Sequence, residues 1–179
     1  MSTTAHRIAG LIIAAGFSGG ALAQQTPEPV RVTFQDASGK QIGTAALTQL
    51  PNGVLIDVDV SGLPAGEHGF HFHQTGRCDA ADGFKSAGEH FAPQKHQHGH
   101  MVKGGPHAGD MPNQFVAADG RLRAHIVNSR VTLGNGANSL FDKDGSALII
   151  HAKPDDYRSQ PSGEAGDRIA CAVISRAGK

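Results

Sequence analysis

The chain has no tryptophan, one tyrosine and eight phenylalanines, and no stretch of amphipathic helical period stands out. A helical bundle is therefore not the expected architecture. Charge of one sign is also missing: Lys plus Arg total 16, and Asp plus Glu total 16. Without a basic excess, nucleic acid and anionic membrane surfaces are not expected partners. No segment approaches the ~18 continuous apolar residues of a membrane-spanning helix. Cysteine is scarce, and neither Cys78 nor Cys171 has a C-x-x-C neighbour.

What the chain does have is glycine, 24 of 179 residues, and eleven histidines. That length suits one domain with a core of its own. Short β-rich runs alternate with Gly, Pro, Asn and Asp turns, the pattern of an antiparallel sandwich or barrel. The runs are VRVTF (30–34), IGTAALTQL (42–50), VLIDVDV (54–60), HGFHFH (68–73), FVA (115–117), RLRAHIV (121–127), SLF (139–141), SALIIH (146–151) and RIACAVI (168–174). Two irregular segments interrupt them, 74–114 and 152–167. Loops that long inside a compact domain are uncommon and usually functional.

The N-terminus carries the pattern of an export signal. MSTTAHR is positively charged, IAGLIIAAGFSGG is a short apolar run, and Ala21-Leu22-Ala23 forms a small-x-small cleavage signal before Gln24. We expect residues 1–23 to be a signal peptide and 24–179 the mature domain, exported to the periplasm or secreted, without a membrane anchor. In an oxidising compartment the simplest reading of Cys78 and Cys171 is one disulfide, with free thiols or metal ligands as alternatives. Closing a loop of about 100 residues removes up to about 4.7 kcal/mol of unfolded-state freedom in the chain-entropy model.

The histidines need a reason. In GFHFH, strand alternation sends Phe70 and Phe72 to one face and His71 and His73 to the other. The first long loop then supplies His90, His96, His98, His100, His107 and Asp110, and His151 ends the SALIIH strand. Imidazole and carboxylate donors without thiolate suit zinc and copper. From residue types alone, His96, His98 and His100 cannot be ranked. His68 and His125 are expected to be exposed strand-end and strand-face residues.

Five motifs, GFHFH, GEHF with P-x-x-x-x-H-G, GPHAGD, LIIHAKPDD and AGDRIACAVI, occur in order from Val30 onward. With them the sequence strongly resembles the copper/zinc superoxide dismutases of the exported bacterial type. The resemblance implies an eight-stranded antiparallel Greek-key β-barrel with two long functional loops. It implies an oxidoreductase that dismutes superoxide to oxygen and hydrogen peroxide with copper and zinc. Copper would be held by His71, His73, His90 and His151, and zinc by His90, His98, His107 and Asp110, with His90 bridging the two. Asp155 would link a copper histidine to a zinc histidine, Arg168 would attract the anion, and Cys78 would pair with Cys171. His96 and His100 then become surface residues. The resemblance leaves monomer and homodimer both open. A metal-handling protein is the alternative, although Met1, Met101 and Met111 form no soft-ligand cluster of the kind used for Cu(I).

Overall fold

The computed structural model describes Met1 and residues 28–176. The expected signal peptide and its cleavage site lie outside the described residues. Among the described residues there are nine strands: β1 (Val30–Asp36), β2 (Gln41–Leu50), β3 (Gly53–Val60), β4 (Gly66–His68), β5 (Phe70–His73), β6 (Gln114–Val116), β7 (Leu122–Asn128), β8 (Ser146–His151) and β9 (Arg168–Ile174). Helical structure among the described residues is limited to two 3-10 turns, Ala80–Asp82 and Lys85–Ala87.

Seven strands form one curled antiparallel sheet in the order β5-β8-β9-β1-β2-β3-β7, and β4 pairs with β6. β9 lies beside β1, with Phe34 opposite Ala172. β4 leads into β5 at one edge of the sheet, and a tight turn closed by Ala117 N–H to Arg121 C=O joins β6 to β7 at the other. The short β4–β6 ladder therefore ties the two edges, curling the sheet into a barrel. Nine strands replace the expected eight because HGFHFH is cut at Gly69. There the backbone leaves its ladder to exchange hydrogen bonds with Lys153 and His151. A Cβ at Gly69 would sit 2.9 Å from Ala165 Cβ, so this crossing has room only for glycine.

Alternation builds the core as the sequence predicts. Phe34, Leu47, Ile56, Val58, Leu122, Leu148 and Ile150 point inward from five different strands and are almost fully buried. One expected strand is absent. SLF makes only an isolated bridge between Ser139 and Thr132, because the Ser139 hydroxyl bonds to Gly134 C=O and accepts from Phe141 N–H. A serine that satisfies nearby backbone groups in this way competes with a ladder.

β5 and β8 depart from half-buried behaviour, since every residue of both is buried. Their inner faces join the main core. Their outer faces lie under the loops, where Ala147, Ile149, Cys171, Phe84 and Ala87 form a second, smaller apolar cluster. Residues 71 and 73 of β5 face 149 and 147 of β8, so both imidazoles emerge beside this cluster.

Phe72 has no exposed surface, whereas Phe115 on β6 is 68% exposed. Phe72→Ala should cost about 3–5 kcal/mol in urea unfolding, and Phe115→Ala less than about 0.5 kcal/mol. Equal losses would contradict this placement of the core.

Candidate metal centre

The first long loop behaves partly as an extra edge strand. Phe72 N–H donates to Gly109 C=O at 3.0 Å, and Phe91 N–H donates to Phe72 C=O at 2.8 Å. These bonds bring His90 opposite His73 and Asp110 opposite His71 as isolated bridges. Phe91, Ala108 and Met111 sink into the main core and hold the loop down. His151 reaches the same face from β8, after a register shift between Ile150 and His151.

Two groups of donors result. His71, His73, His90 and His151 offer atoms within 4.8 Å of one another, and so do His90, His98, His107 and Asp110. His90 belongs to both. Its Nδ1 lies 2.9 Å from Asp110 Oδ1, while its Nε2 is buried without a hydrogen-bond partner. The His71 and His90 ring centroids are 4.0 Å apart.

The other rings are fixed through the nitrogen that faces away from the group. His73 Nδ1 donates to Gly88 C=O at 2.9 Å and His151 Nδ1 to Gly166 C=O at 3.2 Å. His71 Nε2 and His98 Nε2 donate to the two oxygens of Asp155, at 2.9 and 3.0 Å. Each donation settles the tautomer and turns a lone pair toward the shared space. His73 Nε2 and His151 Nε2 then face each other at 3.4 Å with no proton between them. His71 Nδ1, His98 Nδ1 and His107 Nδ1 are likewise buried without hydrogen-bond partners, although the last two lie 3.1 and 3.3 Å from Asp110 oxygens. Buried polar atoms left unpaired cost about 1–3 kcal/mol each. Lone pairs converging in two pockets therefore fit two cations.

The titration behaviour follows. Burial, reinforced by neighbouring positive groups, holds His73 and His151 well below the usual histidine value, in the neutral ligand form. Burial together with the His71 ring takes His90 down to about 3, against the pull of Asp110. Burial also works against a charge on His98, yet the Asp110 and Asp155 carboxylates on its two sides raise it to about 9, so a cation bound at Nδ1 would displace a proton. Burial likewise opposes ionisation of Asp110 and Asp155, but bonds from their histidines hold both well below the carboxylate range.

Arg168 opens β9 beside these groups and is half-buried. Its guanidinium donates to Phe84 C=O at 2.6 Å and Gly88 C=O at 2.7 Å, so Gly88 C=O serves both Arg168 and His73. No carboxylate pairs with Arg168 among the described residues, which leaves its charge available to an anion. Desolvation lowers its pKa, opposed by Glu89 and Asp82. Cys78 and Cys171 form a disulfide with a Cα–Cα distance of 5.7 Å, tying the gripping loop to β9.

All the expected ligand residues, Asp155 and Arg168 thus meet in one region, and His96, His100 and His125 are exposed as expected. His68 is a correction. It is 2% exposed, with Nδ1 2.7 Å from His151 C=O and Nε2 2.9 Å from Pro64 C=O. Alternation carried the signal, because 68, 70 and 72 share the core-facing parity. Nothing in the residue pattern pointed to Asn113 or Gln160, whose amides bond to the backbones of Asp155 and His98.

A family model described as copper/zinc superoxide dismutase matches residues 41–174. A superoxide dismutase [Cu-Zn] of Aquifex aeolicus is 51% identical over 138 residues, covering 76% of this chain and 81% of that protein. One from Caulobacter vibrioides is 43% identical over 139 residues, covering 76% and 79%. A crystal structure of a SOD-like protein from Bacillus subtilis superposes with a TM-score of 0.77 at 35% identity, covering 80% of this chain and 97% of that one.

In the protein stripped of metal, His98 contributes stability fully below its unfolded value of 6.5 and loses it as pH rises through about 9. His90, depressed to about 3, removes stability as pH falls from 6.5 toward that value. Urea midpoints of the metal-free protein should therefore peak near pH 6.5, and a steady rise from pH 6.5 to 9 would exclude this balance.

Proposed function

The chain belongs to the copper/zinc superoxide dismutase family, oxidoreductases that use copper and zinc, and on that premise we propose how its own residues serve the reaction. His71, His73, His90 and His151 hold copper. His90, His98, His107 and Asp110 hold zinc. The observation that carries this assignment is His90, shared by both groups, with one nitrogen against Asp110 and the other buried and unpartnered. Copper, when bound, supplies one-electron redox chemistry, and zinc supplies a fixed dication that orients the loop.

The residues do the rest. Overall, two superoxide anions and two protons give dioxygen and hydrogen peroxide. Arg168, held by two carbonyls and unpaired with any described carboxylate, attracts the small anion and orients it beside His73 and His151. Positive potential in a cleft raises association rates by about 10–10³-fold. His90 Nε2 is the atom suited to hold and release a proton for the product, since its burial disfavours a standing charge. Asp155 keeps His71 and His98 at fixed angles from the far side of both rings.

A signal peptide at 1–23, a mature domain from Gln24 and export to the periplasm complete the proposal. The disulfide supports an oxidising compartment. No helix of the described residues is long and apolar enough to cross a membrane. Burial of the donors argues against the metal-handling alternative, because a carrier needs ligands open to exchange. One tight copper and one tight zinc per chain would support the enzyme, and several weak equivalents the carrier.

The central test is inhibition of cytochrome reduction by the metal-loaded protein, with and without a copper chelator. His90→Ala should lower activity and loosen zinc together; loss of neither would remove the bridging role. Arg168→Ala should lower kcat/KM at least about tenfold. It should also flatten the decline of rate with added salt, and an unchanged salt slope would count against steering by this residue.

A further inference from the structure

The two loops that carry the site also hold each other. Asn113, near the end of the first loop, lays its side-chain amide on the backbone of Asp155. Its Oδ1 accepts from Asp155 N–H at 2.8 Å, and its Nδ2 donates to Asp155 C=O at 2.9 Å. Gln160, in the second loop, does the same in reverse to His98. Its Oε1 accepts from His98 N–H at 2.9 Å, and its Nε2 donates to His98 C=O at 2.9 Å. The two clamped residues are themselves joined, His98 Nε2 to Asp155 Oδ1 at 3.0 Å.

Each amide thus replaces the ladder partner that an irregular segment lacks, satisfying both backbone groups of a buried residue. Tyr157 braces one side, its hydroxyl accepting from Asn113 N–H at 2.8 Å while its N–H donates to Asp155 Oδ1 at 2.7 Å. Gly163 closes the other. Any Cβ there would overlap the Asp155 carboxylate and lie 2.7 Å from His98 Nε2.

We propose that Asn113 and Gln160 are positioning residues, a reciprocal pair of amide clamps that make the ordering of the two loops one event and hold His98 at its angle for zinc. This rests on the assignment of His98 to zinc. Ordering an irregular segment costs backbone freedom at every residue. A contact that is held from both loops shares that cost. Releasing either clamp lets the His98–Asp155 bond loosen, and releasing the second then has little left to disturb.

The test uses Asn113→Leu, Gln160→Leu, the double variant and a control, Gln94→Leu. Leucine keeps the approximate volume and removes both hydrogen bonds. Gln94 sits on the same loop but bonds only to Asn138 Oδ1, at 2.9 Å, on the exposed side. Zinc release from the zinc-loaded full chain into a chromophoric chelator is timed, and urea midpoints are taken on the metal-free proteins. Each single variant should release zinc about tenfold faster or more. The double should be no faster than about the worse single, since coupled sites are non-additive. Gln94→Leu should match the parent.

Release within about twofold of the parent in Gln160→Leu overturns the proposal. So do losses that add in the double and follow a drop in metal-free stability. Should Asn113→Leu fail to fold, exposed Gln160 carries the same decision. A parent that retains no zinc would overturn the zinc assignment itself, and a parent that retains it alongside equally retentive variants would overturn only the clamps.

Discussion

The pairing of β5 with the loop that crosses it is the constraint on which the site depends. Phe72 gives its N–H to Gly109 and its C=O to Phe91, while its ring is buried in the core. One residue thus ties barrel interior, strand and loop together. Because backbone hydrogen bonds tolerate little error in distance, His90 and Asp110 are placed opposite His73 and His71 by ladder geometry. Alternation then puts the phenylalanines inside and the imidazoles outside, and the loops bury the imidazoles in turn. Rings held this way can keep unpaired nitrogens close together, which a mobile loop would relieve by turning them to water.

Burial does a second service. It keeps His73 and His151 neutral, the state in which an imidazole can bind a cation, and it makes each hydrogen bond on the far nitrogen count for more. The carboxylates divide the remaining work. Asp110 faces His90, His98 and His107 from within the second donor group, whereas Asp155 stands behind His71 and His98. His98 therefore lies between two anions, which explains why its charge survives burial.

Much of this could be read from the sequence, because strand period and turn residues are local signals. β8 and β9 match SALIIH and RIACAVI residue for residue, and the opposed faces of GFHFH follow from period two alone. The break at Gly69 could not be foreseen, since it depends on Ala165 approaching from a distant loop. SLF failed as a strand because local hydroxyl bonds outweighed a short apolar run. Choosing His98 over His96 and His100 needed the family resemblance, as residue type cannot say which ring of a dense cluster turns inward. The same holds for Asn113 and Gln160. An amide that grips a remote backbone leaves no periodic trace.

Arg168 and Cys171 share a strand only three residues apart, and the segment starting at Cys78 supplies both carbonyls that grip the guanidinium. The disulfide consequently anchors the carbonyls that hold Arg168 as well as stapling the long loop to the barrel. The strand ladders do not depend on that bridge, whereas without it the segment holding Arg168 would lose its covalent tie to β9.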